Sequence, residues 1–367
     1  MVQCSNAGVA WYRLTSWSTA AHRNNAFSAL QPWWDKGLTE SHPWEVDIDD
    51  PSYKHRIKAE LDDHSKKASV IVSQMAHTPS ALYELVRMKV ERGIPLVTEI
   101  DDNIINTAHY NPAHAVYGQG SIFRKLAIDQ FRMSDAMIVS TPYLAEVYSE
   151  FCENIYVLPN SLDFRIWDNV RHKRNKDCIK IGWAGGASHD EDLRIIEPVV
   201  HEILAKHPTV KFCFVHGIPE FLRGIPRVET VHEFTRIDRY PQFLASRGID
   251  INLAPLVDNA FNRGKSNLRW LEFAGLKVPT VASKVGHFAE TLKQAEDALL
   301  CESKQDWLDS LSWLISDENA RKKLGKNANQ RARRDFNVDR NIQDYKEALE
   351  EISARGQVVK MPKEATA

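Results

Sequence analysis

Short apolar runs alternate with longer amphipathic stretches along most of this chain. The runs at 68–73, 95–100, 136–140 and 155–158 read as strands, being brief, rich in β-branched residues and bounded by turn or capping residues. Between them, Thr78-Pro79 and Thr141-Pro142 each supply an N-cap and a proline at the first helical position, and a further helix is predicted over 121–133. The charged run 171–177 interrupts the pattern. It resumes with a strand from Cys178, a helix to about Lys206 opened by Ser188 and Glu191 at capping-box spacing, and strands at 210–215, 228–231, 249–253 and 298–301. From Lys304 the period is helical, over 304–315, 318–334 and 338–354. Strands alternating with helices predict an α/β fold: two Rossmann-like β/α/β domains with parallel sheets, facing a cleft, plus C-terminal helices, with ligands at the carboxyl ends of the strands. The expected divisions are 1–163, a linker at 164–177, 178–335, a helix at 336–354 that returns to the first domain, and a flexible tail at 355–367.

The stretch 251–283, INLAPLVDNAFNRGKSNLRWLEFAGLKVPTVAS, carries the most chemistry. It reads as a strand over 251–256, a polar turn, a helix over 266–276 and a second strand after Pro279. The turn places Asn262, Arg263, Gly264, Lys265 and Ser266 where a helix begins, so backbone N–H groups and cations converge as an anion site. Glu272 follows Lys265 by seven residues, two turns or roughly 10 Å along one face. Phosphate at the helix start and a vicinal diol at the carboxylate together describe a nucleoside diphosphate. A Walker A loop would need glycine where Asn259 stands. The plainer alternative is that Lys265 and Arg269 are solvated charges on an amphipathic helix.

A second phosphate-compatible place is Gly185-Gly186, between the strand from Cys178 and the helix opened by Ser188; a third is Gly8, followed by Arg13. Asp101 and Asp102 end the 95–100 strand, as turn caps or as groups orienting a hydroxyl. His189 stands at a helix start beside the glycines.

Composition narrows the partners. With 367 residues, 43% hydrophobic and 26% charged, the chain has the size and make-up of a two-domain globular protein. A net charge of −2 provides no global field for a polyanion. The five cysteines are scattered without a C-x-x-C pair and read as reduced core thiols of a cytoplasmic protein. No apolar run approaches the ~20 residues of a membrane span, and no signal-peptide pattern opens the chain, although peripheral attachment to a membrane is compatible. Residues 31–66, rich in Trp, Pro, His and Asp, form an irregular excursion, and the DxD spacing of Asp47, Asp49 and Asp50 inside it reads as a solvated acidic loop, so no metal site is expected.

Taken together, GVAWYRL, TEIDDNI, AMIVSTPYLAEVY, VLPNSLD, IGWAGGASHDEDL and FNRGKSNLRWLEFAGLKVPTVAS resemble, in order, the motifs of nucleotide-sugar glycosyltransferases of the GT-B architecture, closest in style to glycosyltransferase family 4. The chain is also similar to compact phage-borne members. The resemblance implies an acceptor-side first domain and a second domain that binds a nucleotide diphosphate sugar as donor substrate, with no cofactor required. It implies that Glu272 binds the donor ribose and Lys265 the phosphates, with Arg263 or Arg13 as second cation. The family's paired glutamates have seven residues between them; here the first falls at Gly264, and Asn259 or Asp258 stands in for its contact with the sugar.

Such transfer leaves negative charge on the departing diphosphate, which Lys265, Arg263, Gly185, Gly186 and the Ser188 helix start would stabilise. The resemblance favours retention, with the donor phosphate deprotonating the acceptor; inversion would need a base, for which Asp102 is the candidate. Asp101, Asp102 and His189 are the catalytic candidates. The acceptor expected is a saccharide or lipid-linked glycan. The alternatives are a hydroxymethylated base in DNA, and a nucleotide-binding module without catalysis.

Overall fold

The computed structural model describes residues 11–28, 66–76, 78–173, 177–186, 189–217, 219–233 and 235–356. Gly8, Ser188, the Asp47–Asp50 run and the tail beyond 356 lie outside the described residues. The chain divides into two compact units, one from Met1–Asp101, Gln119–Leu158 and Ile342–Ala367, the other from Asp102–Gly118 and Pro159–Asn341. One division thus falls between Asp101 and Asp102, and another inside the last helix, Val338–Gly356. Residues 164–177, expected as a linker, fall in the second unit and begin with the short helix Phe164–Asp168.

The first unit holds a parallel sheet in the order β1 (Ile71–Ser73), β2 (Leu96–Ile100), β3 (Ala136–Val139) and β4 (Ile155–Val157). Its crossover helices start at side-chain caps: Thr78 accepts from the amide of Ala81 at 3.0 Å, and Thr141 from that of Leu144 at 3.2 Å. Each such cap stabilises by about 1 kcal/mol. Gly93 closes the Pro79–Arg92 helix at φ 64°, a left-handed geometry that costs glycine no Cβ clash. All of β2 is buried, its polar residues included, so those residues require internal partners. Thr98 meets Ser134 at 2.7 Å and Gln130 at 2.9 Å, while Glu99 pairs with Arg13 and accepts from Gln74 at 3.1 Å. Trp17 and Phe27 stack on Tyr345 of the last helix, with Trp17–Tyr345 centroids 4.9 Å apart.

The second unit holds six parallel strands in the order β10 (Leu299–Cys301), β9 (Thr280–Ser283), β8 (Ile251–Ala254), β5 (Ile179–Ala184), β6 (Val210–Val215) and β7 (Val228–Val231). From β5 the chain steps outward through β6 and β7, then returns to β5's other side and steps outward through β8, β9 and β10. That is the doubly wound order, with its switch point between β5 and β8. The core beneath is built of Trp183, Phe212, Phe214, Leu253, Val281 and Trp307.

Local physics explains where elements differ from the sequence pattern. The single helix expected up to Lys206 is two, Asp190–Arg194 and Glu197–Lys206, because Pro198 has no N–H to extend the first ladder. The polar turn before Lys265 contains a one-turn helix, Ala260–Arg263, whose N-cap Asn259 accepts from the amide of Asn262 at 2.8 Å. The following helix is Leu268–Gly275. It is held from behind by the Glu318–Asp335 helix, whose Asn329 donates to Ala274 O at 2.8 Å and whose Gly325 lies against the backbone of Lys277.

The four described cysteines are free and buried, and burial pushes Cys213 up to about 11 and Cys301 up to about 12. Such thiols are poor nucleophiles at neutral pH. Among the described residues, no helix is long and apolar enough to cross a membrane, and no group of three His, Cys, Asp or Glu side chains gathers as a ligand set for a metal ion.

Candidate functional site

In an open doubly wound sheet the crevice beyond the strand ends at the switch point is where ligands sit. In the second unit that point is flanked by the Gly185-Gly186 loop after β5 and the 255–267 loop after β8. A Cβ at Gly185 would come within 2.6 Å of the Arg269 guanidinium and of the Trp183 ring, so any larger residue there must displace one of them. At Gly186 the same construction meets nothing within 4 Å, leaving its backbone approachable.

Asp192 ties the two loops together. This residue is 3% exposed, and its carboxylate accepts from the Val257 amide at 2.8 Å, from Asn262 Nδ2 at 2.7 Å and from His189 Nδ1 at 2.7 Å. Asn262 also donates to Val257 O at 2.9 Å, so it works as a brace within the loop. The other ring nitrogen of His189 faces Arg269 Nη2 at 3.1 Å. A guanidinium can only donate, so Nε2 must accept and the proton resides on Nδ1. Burial, reinforced by the Arg269 charge and opposed by Asp192, pulls His189 down to about 4. It is a neutral imidazole with both nitrogens engaged.

This has a consequence for stability. The folded value of about 4 lies below the unfolded value of about 6.5, so the unfolded chain binds more protons as pH falls. Stability present above pH ~6.5 is lost progressively down to pH ~4, with a limit of about 3 kcal/mol from this one group. Urea titrations at pH 7 and pH 4.5 should show a smaller acid loss in His189→Gln than in the unchanged protein. An identical loss in both would remove His189 as a cause.

Arg269 lies over Trp183 at 4.7 Å and donates to Ala184 O, so the Leu268–Gly275 helix is fastened to the end of β5. Glu272, one turn on and 9% exposed, takes a hydrogen bond from Tyr240, whose hydroxyl is raised well above its ordinary value by burial first and by Glu272 second. Tyr240 in turn stacks with His216 at the end of β6, at a centroid distance of 6.0 Å.

On the β8 side, Lys265 pairs with Asp102 at 2.7 Å and lies over the Phe261 ring at 4.5 Å. Ser266 accepts from Asn160 Nδ2 at 2.7 Å. Arg263 points to solvent in a two-bond pair with Asp258, at 2.6 and 3.0 Å. The 102–118 segment of the same unit runs along this loop: Asn103 Nδ2 donates to Ala260 O at 2.9 Å, and Asn259 Nδ2 donates to the Tyr110 hydroxyl at 2.8 Å.

Of the residues singled out from sequence, the second unit gathers Asp102, Gly185, Gly186, His189, Asn259, Asn262, Arg263, Lys265, Ser266 and Glu272 around the switch point. Arg13 and Asp101 belong to the first unit. There Arg13 is 1% exposed, pairs with Glu99 and donates to Leu158 O at 2.7 Å, a buried role rather than an exposed phosphate contact. Sequence reasoning missed Asp192, Asn160, Tyr110 and Tyr240, and it offered Arg269 only as a solvated charge. Spacing held a partial signal: Asp192 follows His189 by three positions, and Arg269 precedes Glu272 by three, both on shared helix faces.

A glycosyl transferase-like family model matches residues 197–347. No curated protein sequence matches the chain. Among solved structures, sucrose-phosphate synthase from Thermosynechococcus elongatus is similar at 14% identity and a TM-score of 0.61, over 87% of this chain and 82% of that one. Anabaena HepE, solved with UDP and glucose, is similar at 17% identity and a TM-score of 0.57, over 80% and 81%. A glycosyltransferase from Rickettsia africae is similar at 13% identity and a TM-score of 0.57, over 84% and 83%. With its two parallel-sheet units, the chain has the GT-B fold of these structures, and residues 197–347, most of them in the second unit, match a glycosyl transferase-like family model.

Proposed function

We propose that this protein moves a sugar from a nucleoside diphosphate sugar to a hydroxyl of a saccharide or lipid-linked glycan, and that its second unit holds the donor. The observation that carries this reading is the position of Lys265. Lys265 lies in the loop that follows β8, one of the two loops beside the switch point, and its ammonium already faces an anionic oxygen, that of Asp102. A diphosphate offers the same kind of oxygen with more charge.

In this reading Lys265, Ser266 and the backbone N–H groups of Gly185 and Gly186 receive the diphosphate, and Glu272 accepts from the ribose hydroxyls. Arg269 is the better second cation: Arg263 is drawn to Asp258, and Arg13 is buried with Glu99. His189, neutral and held on both sides, orients Arg269 and does not itself transfer a proton. Asn259 serves the transferred sugar, and Asp101 and Asp102 are the carboxylates available to an acceptor hydroxyl. The acceptor oxygen attacks the anomeric carbon as the bond to the diphosphate breaks. The departing phosphate oxygen takes the hydroxyl proton, so the reaction retains configuration without a separate base or a metal ion. The charge that develops on the leaving group is met by groups already in place.

HepE supports uridine as the first base to test, since it was solved with UDP and with UDP-glucose. Thermal unfolding should be followed with UDP-, GDP- and ADP-sugars. One of them at 100 times its Kd is expected to stabilise by about 2.7 kcal/mol, and adding a glycan acceptor should release the nucleoside diphosphate. If none of these donors raises the Tm, the donor assignment fails.

A further inference from the structure

Building on that donor reading, we propose that Tyr110 stacks against the transferred sugar and distinguishes a sugar-bearing nucleotide from the bare diphosphate. The ring is 42% exposed, yet its position is fixed. Asn259 donates to its hydroxyl at 2.8 Å, and His109 meets it edge-on with centroids 5.4 Å apart. The backbone behind it is anchored as well. Asn103, fully buried, donates to Ala260 O, and Asp102 holds Lys265. Asn111 caps the Pro112–Tyr117 helix that follows, accepting from Ala113 at 2.9 Å.

An aromatic side chain ordered in this way loses rotamer freedom while leaving much of its surface open, so ordering it stabilises the fold less than a fully buried ring would. A prearranged exposed ring is what a sugar requires. The C–H face of a pyranose is apolar and slightly positive, and it suits the negative face of an aromatic ring. Asn259, having given one N–H to Tyr110, retains a second for a sugar hydroxyl.

The placement agrees with the donor's own order of parts. The short helix Ala260–Arg263 separates Asn259 from Gly264-Lys265, and four residues advance about 6 Å. On this spacing a ring held by Asn259 would stand about one sugar's width from a phosphate bound at Lys265. Burial first, and the charges of Asp192 and Glu191 after it, raise the Tyr110 hydroxyl above its ordinary value, so it stays protonated at neutral pH.

The test is calorimetric titration of the full chain with UDP and with UDP-glucose. Tyr110→Ala should leave the Kd for UDP unchanged and weaken UDP-glucose roughly 3- to 10-fold, the loss expected for one ring stack. Tyr110→Phe keeps the ring and should lose clearly less. Equal weakening of both ligands by Tyr110→Ala, no weakening of either, or a Phe variant as poor as the Ala variant would overturn the assignment while leaving the donor reading intact. Failure of the unchanged protein to bind either UDP or UDP-glucose would overturn this assignment, and the donor reading falls with it only when GDP- and ADP-sugars also leave the Tm unmoved.

Discussion

Lys265→Ala is expected to weaken nucleoside diphosphate binding about 10- to 100-fold, the value of one charge-assisted hydrogen bond to phosphate. The fold should scarcely notice. Lys265 and Asp102 are 20% and 40% exposed, and ion pairs at such positions contribute about 0–1 kcal/mol. Asp102→Asn should act in the opposite direction, because it removes the carboxylate that competes with phosphate for the same ammonium. Titration of both variants with UDP, beside urea unfolding, checks this. A weaker complex in Asp102→Asn would mean that its carboxylate supports the donor instead of standing in its place.

Asp192→Ala is expected to cost about 3–5 kcal/mol of unfolding free energy, far more than its side-chain volume accounts for. Its carboxylate is the shared acceptor of a backbone amide, an amide side chain and an imidazole. Removing it leaves those donors buried without a partner, and buried orphans cost more than the mean hydrogen bond contributes. Binding should fall as well, since Val257 and Asn262 belong to the loop that carries Lys265. Urea unfolding with an unchanged m-value measures the stability change. A loss below about 1 kcal/mol would show that water replaces the carboxylate and that the loops do not depend on it.

These two residues mark how far the sequence could be read. Lys265 could be singled out from the sequence because its signal is local: a turn of Asn, Arg, Gly and Ser leading into an apolar helix face, with a carboxylate two turns on. Asp192 was not legible. Its neighbours in sequence present it as one acid among Asp190, Glu191 and Asp192 at a helix start, where acids favour the helix dipole without further reason. Its partners Val257 and Asn262 come from the loop after β8, and no periodicity connects them to it. Arg13 was likewise singled out by its nearness to a glycine, and its buried pairing with Glu99, 86 positions away, has no local signal.

The sequence by itself determined the alternation of strands and helices, the capped starts at Thr78 and Thr141, and the two glycine- and lysine-bearing turns. Those follow from hydrogen-bonding and steric preferences acting within a few residues. Only the tertiary structure decided that β8 returns beside β5, so that Gly185 and Lys265 face one crevice, and that the 102–118 segment brings Asp102 and Tyr110 to it. Strand order is set by packing between segments distant along the chain, where many local patterns are equally compatible and burial selects among them.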